Sequence, residues 1–290
     1  MVRGASRLAK RAHFRTFAPS DAPSHHRTTL TIAPPCVDNV SVNARFYAPD
    51  AHAPGDVVTL PQDEGEHLTR VLRLKPGDAL RIFNGHGSEF DAFVDEAGKG
   101  GVRVRLHAVA QSAPEPRVAI TLAQTVLKGD KMDDVVRDAT MLGVAEIQPV
   151  ITTRTEVTRA ALLRGARRER WERIAVSSAK QCGRATVPRV FEPINFDELV
   201  ESLGRMLLPL PGLMLVEPGA ASDTTPASEL DLSPQRGATV LIGPEGGWTP
   251  SEVERGASVC RLITVGGRTL RADVMCVVAL SAFFTIWREF

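Results

Sequence analysis

Cysteine is scarce and scattered. Cys36, Cys182, Cys260 and Cys276 are the only ones, and no two stand at the spacing of a zinc knuckle or a disulfide framework. They read as reduced thiols of a cytoplasmic protein. The 7 histidines all fall before residue 108, none at metal-ligand spacing from a cysteine, so no metal is expected. Long apolar runs are missing as well. The longest predominantly apolar stretch, Val274 to Trp287, is too short for a bilayer-spanning helix, so no membrane association is expected. Neither GxGxxG after a strand nor GxxxxGK[ST] occurs, which argues against a standard dinucleotide fold and an NTPase. GxSxG is also absent, which lowers the case for an α/β-hydrolase.

An excess of one charge is lacking too. The 35 basic and 34 acidic side chains leave a formal net charge of +1. That near-balance hides an asymmetry: residues 1–43 carry Arg3, Arg7, Lys10, Arg11, Arg15 and Arg27 against only Asp21 and Asp38. The remaining body is mildly acidic and cannot grip nucleic acid through its mean field, so any RNA site must be a local patch. Residues 1–43 have no apolar period and read as a disordered extension or as upstream sequence from a start-site choice. An organelle transit segment is the alternative.

What is present is globular. With 43% hydrophobic and 24% charged residues, the 290-residue chain holds enough material for two ordinary domains. Strand-like runs at Val57–Leu60, Ala79–Phe83, Glu89–Val94 and Val102–Val109 are separated by glycine-rich turns. One helical stretch, Glu64–Leu74, places His67, Val71 and Leu74 on one face. This pattern predicts a small β-barrel over 44–113, and Ala113-Pro114-Glu115-Pro116 reads as a linker. From Arg117 strands and helices alternate, with strands at 118–127, 145–151, 213–216, 239–242 and 262–265. Helices are predicted at 130–142, 162–182, 196–203, 251–259 and 273–287. Such alternation predicts an α/β domain over 117–290 with helices on both faces of a mainly parallel sheet. Ser222–Gln235 reads as a mobile surface connection.

Four runs stand out within that domain. Leu241-Ile242-Gly243-Pro244-Glu245-Gly246-Gly247-Trp248 joins a strand to a helix through glycines, with Thr249 or Ser251 as cap. Such a loop either lets a ligand approach the backbone or is a tight turn needing positive φ. Thr264-Val265-Gly266-Gly267-Arg268-Thr269-Leu270-Arg271-Ala272-Asp273 repeats the pattern, and a second glycine loop on a neighbouring strand would complete a backbone-lined pocket. The others are Gln124 with Lys128-Gly129-Asp130-Lys131, and Gln181-Cys182-Gly183-Arg184. Arg184 could equally pair with a carboxylate, and the two lysines could be solvated helix-start residues.

In order and spacing, these runs resemble the ribosomal RNA small subunit methyltransferase E family, of the SPOUT class of knotted methyltransferases. The resemblance covers roughly Ala44 to Arg288. Arg45-Phe46-Tyr47, His67-Leu68, Val71-Leu72-Arg73 and Gly77-Asp78 resemble the family's PUA-like RNA-binding domain. Two departures stand out. Met141-Leu142-Gly143 replaces the family's Glu-Leu-Gly, and Asp273-Val274-Met275 its Glu-Thr-Ala.

The resemblance implies a trefoil-knotted C-terminal domain that holds S-adenosylmethionine. The cofactor would rest on Val216, Glu217, Gly243, Pro244, Glu245, Gly246, Gly247, Val265, Gly266, Gly267, Arg268 and Leu270. The implied reaction is methylation of N3 of one uridine in small-subunit (16S) ribosomal RNA, free or in the assembled subunit. Arg271 and Arg184 are candidates for stabilising negative charge on uracil, and Glu245 is a weak candidate base beside Asp273. RNA contacts are expected from Arg45, His67, Arg70, Arg73, Lys128 and Lys131. A homodimer is implied, burying the apolar closing helix. The rival expectations are a knotted RNA-binding protein without catalysis, and a methyltransferase of the same class acting on another ribosomal or transfer-RNA nucleotide.

Overall fold

The computed structural model describes residues 44–98, 100–205, 211–230 and 236–290. The extension expected over 1–43 lies outside them. The N-terminal sheet is built from β1 (Arg45–Tyr47), β2 (Val57–Thr59), β3 (Ala79–Phe83), β4 (Glu89–Gly98) and β5 (Gly101–Ala110) in the order β1-β3-β4-β5-β2. Every pairing is antiparallel except β1 with β3. Register shifts between Asp91 and Ala92 and between Val94 and Glu96 bend the long β4–β5 hairpin. β1 and β2 do not pair, so the expected barrel is an open one. Phe46, Leu80, Ile82, Phe90, Val104 and Leu106 fill its interior.

The helix in this domain differs from the expected amphipathic stretch. Gln62–Glu66 forms α1, and the chain then widens into a π-helical turn over His67–Leu72. Leu68 is the residue that enters the core, while Val71 is 65% exposed. His67, Val71 and Leu74 therefore share no buried face, because the wider winding breaks the α-helical period.

Beyond residue 117 lies an eight-stranded sheet whose pairings are all parallel. In chain order its elements are β6 (Ala119–Thr125), α2 (Lys131–Leu142), β7 (Glu146–Ile151), α3 (Arg159–Arg164), α4 (Arg167–Cys182), β8 (Arg189–Val190) and β9 (Ile194–Asn195). Then follow α5 (Phe196–Gly204), β10 (Gly212–Leu215), β11 (Thr225–Pro226), β12 (Gly237–Ile242), α6 (Pro250–Ala257), β13 (Arg261–Thr264) and α7 (Ala272–Ile286). The strand order is β11-β13-β10-β12-β6-β7-β8, with β9 also on β7. One face packs Ile120, Leu122 and Val240 against α2, α4 and α7. The other packs Ala123, Met214 and Leu241 against α5 and α6. The expected 162–182 helix is two helices, because Gly165 is extended (φ −96°, ψ 150°). The 222–235 connection is anchored rather than loose where it is described. It adds β11 to the sheet and buries Ala227 and Leu230.

Cys260 and Cys276 lie in these cores, and burial pushes both thiols up to about 12, which keeps them unreactive at neutral pH. Among the described residues no helix is long and apolar enough to cross a membrane.

The linker is pinned. Ala113 N donates to Gly183 O at 3.0 Å, and Glu115 accepts from Arg184 Nη2 at 2.6 Å. Backbone bonds from Gly87 N to Ala185 O (3.1 Å) and from Val187 N to Gly85 O (3.0 Å) join the N-terminal sheet to the segment after α4, and Arg45 adds to them. It pairs with Glu89 and donates to the carbonyls of Ala179 (3.1 Å), Lys180 (2.6 Å) and Arg184 (3.1 Å). A guanidinium at the last carbonyls of α4 satisfies orphan acceptors and complements the helix dipole. Lys180 answers from α4, reaching Glu64 at 2.6 Å and lying 4.6 Å from the Phe46 ring centroid.

Candidate functional site

Parallel strands deliver their carboxyl ends to one edge of the sheet, and there the loops after β10, β12 and β13 meet. The two glycine loops do not follow adjacent strands as expected. β10 sits between β12 and β13, and its own loop, Val216-Glu217-Pro218, lies between theirs. Together they enclose a cleft of about 570 Å³ including its open mouth. Leu215, Ile242, Val265, Leu270, Ala272 and Met275 supply the apolar lining; Glu217, Glu245, Arg268 and Thr269 supply polar groups. An apolar cleft with a few polar groups suits a small organic ligand.

Two glycines shape it. A Cβ on Gly243 would stand 2.9 Å from Trp248 Nε1 and 3.0 Å from Cε2. The indole lies there because its N–H donates to Leu215 O at 2.8 Å, which fastens the β12 loop to the end of β10. Gly247 has φ +69°, and a Cβ there would come within 3.1 Å of Glu217 Oε1. Gly246, expected to need positive φ or to meet the ligand, has no positive φ. It is absent from the lining, and a Cβ would make only ordinary contact with Arg154 at 3.4 Å. Gly266 (φ +67°) and Gly267 shape the β13 loop without lining the cleft.

Helix α6 holds the loop from its far end. Thr249 caps it, in a capping box with the buried Glu252. Glu252 Oε1 also accepts from Thr153 N at 2.9 Å. Arg154, one residue on, donates from Nη1 to the carbonyls of Gly246 (2.6 Å) and Trp248 (3.3 Å). The loop after β7 is thus a fourth support of the cleft. The sequence carried no signal for it, because a lone arginine in a threonine-rich run has no local pattern.

The charged candidates separate. Glu245 Oε1 accepts from Lys131 Nζ at 2.9 Å and from Lys128 N at 3.3 Å. Burial raises its carboxyl pKa, but the Lys131 ammonium and the backbone amides of Glu245 and Lys128 outweigh that and hold it below the usual carboxylate range. A carboxylate so held is a poor proton acceptor. Lys128 Nζ pairs with Glu156, and that bond raises its pKa. Arg271 caps α7 beside the cleft residues Leu270 and Ala272, its guanidinium bidentate on Asp273 (3.2 and 3.0 Å).

Arg184, a catalytic candidate in the sequence, is not among the residues that line the cleft. Its side chain is buried, bidentate on Glu115, and donates to the carbonyls of Thr140 (2.6 Å) and Val144 (3.1 Å). All three of its guanidinium nitrogens are engaged in holding the linker to the α2–β7 turn. Arg45, expected as an RNA contact, is engaged between the sheets with its side chain 14% exposed. His67, Arg70 and Arg73 are exposed on the π turn.

The chain matches the RNA methyltransferase domain family over residues 114–284 and the RNA methyltransferase PUA domain family over 60–106. It is 29% identical to a ribosomal RNA small subunit methyltransferase E of Rickettsia conorii, over 82% of this chain and 93% of that one. With the protein of the same name from Synechocystis the identity is 31%, over 77% and 71%. The crystal structure of a ribosomal RNA small subunit methyltransferase E from Neisseria gonorrhoeae bound to S-adenosylmethionine superposes with a TM-score of 0.74 at 30% identity. That likeness covers 84% of this chain and 98% of that one.

Proposed function

The chain belongs to the ribosomal RNA small subunit methyltransferase E family, and from that membership we propose that it transfers a methyl group from S-adenosylmethionine to N3 of one uridine in 16S ribosomal RNA. Its fold is of the SPOUT α/β-knot class with an N-terminal PUA-like domain. The observation that carries the reading is the three-loop cleft at the ends of β10, β12 and β13, where a Cβ on Gly243 would crowd Trp248 and Gly247 holds positive φ beside Glu217.

The residues fit the cofactor. The apolar lining suits adenine, and the loop backbones of Val216–Pro218, Gly243–Gly247 and Val265–Leu270 offer it hydrogen-bonding groups. A sulfonium supplies an activated methyl group, so the protein's task is alignment and charge stabilisation. Uracil N3 must lose its proton, and the resulting negative charge spreads onto the uracil oxygens. In this reading Arg268 in the cleft and Arg271 beside it stabilise that charge, with Asp273 fixing the Arg271 guanidinium. Glu245 positions Lys131 and the Lys128 amide at the mouth, and is not assigned the proton transfer.

A homodimer and a cytoplasmic site of action belong to the same reading. The dimer is supported by Val274, 44% exposed, with the half-buried Val278 one turn on along α7, and by Met141, 38% exposed on α2. Light scattering on the purified protein tests it: twice the chain mass is expected, and a monomer overturns that part. For the reaction, the purified protein is incubated with S-adenosylmethionine and unmethylated small ribosomal subunits, and the RNA is mapped by mass spectrometry. One N3-methyluridine is expected. A methyl group on another nucleotide or on transfer RNA overturns the target, and cofactor binding without any transfer overturns the activity.

A further inference from the structure

The π turn presents an apolar pair where a helix would have hidden it. At α-helical spacing Val71 and Leu72 would share the face of Leu68, which is fully buried. In the wider turn they are left 65% and 43% exposed. The turn is firmly built. Thr69 Oγ1 donates to Gly65 O at 2.9 Å, and Leu74 N returns to Leu68 O at 3.1 Å. Arg73 closes it in the left-handed region (φ +54°), a conformation that costs an arginine free energy. π turns and non-glycine residues at positive φ cluster at functional sites.

The flanking charge indicates the occupant. From His67 to Pro76 the chain carries Arg70, Arg73 and Lys75 and no acidic residue. Among the described residues Arg70 pairs with Glu66 alone, at 3.0 Å with side chains 76% and 43% exposed, a pair that a phosphate can displace at little cost. Cations flanking exposed aliphatic side chains match a ligand with a charged backbone and flat apolar faces. That ligand is single-stranded RNA with its bases unstacked. We propose that Val71 and Leu72 form an aliphatic wedge against the unpaired bases of the RNA substrate, with Arg70 and Arg73 holding the adjoining phosphates. The inference rests on the rRNA-methyltransferase reading and adds to it the contact through which the N-terminal domain recognises unpaired RNA.

The test uses the full-length double variant V71A/L72A, Arg70→Ala with Arg73→Ala, and Val109→Ala as a control. Val109 is 70% exposed on β5, outside the turn. The probe is a fluorescently labelled, uridine-rich single-stranded RNA, with a duplex of the same sequence beside it. Removing the aliphatic pair should weaken single-strand binding about tenfold, and leave the melting temperature and the dependence of affinity on salt unchanged. The arginine variant should flatten that salt dependence, because its loss is one of counterion release. Val109→Ala should match wild type. Unchanged affinity in V71A/L72A, equal loss on the duplex, or a change of oligomeric state overturns the wedge. If wild type methylates small subunits while V71A/L72A binds like wild type, the wedge fails alone. If wild type transfers no methyl group, it is the enzymatic reading that fails.

Discussion

At the scale of single residues, the glycines of the β12 loop are not equivalent. Gly243→Ala places a methyl group 2.9 Å from the Trp248 indole, and Gly247→Ala forces a side chain into positive φ beside Glu217. Each should weaken S-adenosylmethionine binding by roughly ten- to hundredfold, measured by calorimetric titration. Gly246→Ala should bind within about twofold of wild type, since its Cβ meets only Arg154 at ordinary distance; equal loss at all three positions would refute the distinction. Glu245 gives a pH-dependent prediction. Its carboxyl is held below the ordinary value of 4.5 in the folded state. Its pairing with Lys131 therefore contributes stability that is complete above about pH 4.5 and is lost as pH falls through the lowered value. The melting-temperature gap between wild type and Glu245→Gln should be open at neutral pH and close on acidification below that point. A gap that widens in acid would reverse the assignment.

At the scale of elements, the support of the β12 loop comes from outside it. Arg154→Ala removes the donor to Gly246 O and Trp248 O, and should weaken cofactor binding about tenfold while leaving the β-sheet intact. Titration beside a circular dichroism melt checks this, and loss of cofactor affinity only in step with unfolding would make Arg154 a general stabiliser. Elements also mark how far the sequence could be read. The apolar runs at 119–125 and 237–242 are legible because central parallel strands are buried on both faces. The glycine loops are legible because chemistry at a strand's end requires them. β8, β9 and β11 have two residues each and leave no periodic trace. The break between α3 and α4 is hidden by a helical pattern that runs through Gly165. The π turn is hidden because its sequence satisfies an α-helix equally well. The ion pairs of Arg45 and Arg184 are not legible in the sequence, because their partners Glu89 and Glu115 lie far off in the chain.

At the scale of the whole molecule, the two sheets are joined through the end of α4. Arg45→Ala leaves the buried Glu89 with only the longer 3.9 Å approach of Arg81, and takes the guanidinium away from the last α4 carbonyls. Cofactor binding should persist, since the cleft contains nothing from the N-terminal sheet. Methyl transfer to small subunits should fall more than tenfold, because RNA held on one part must be presented to chemistry on the other. Filter-bound methyl counts beside a cofactor titration decide this, and an equal fall in both would place the effect within the cleft. The way Trp248 is held also makes the protein its own optical reporter. Of the 3 tryptophans, Trp171 and Trp287 sit deep in the core at 2% and 3% exposure. Trp248 alone forms a wall of the cleft, its indole N–H on Leu215 O. Two emitters sealed from solvent give a constant blue background, and the third changes colour or brightness when something settles against it. Filling of the cleft can therefore be followed in real time by intrinsic fluorescence, without a label on either protein or ligand.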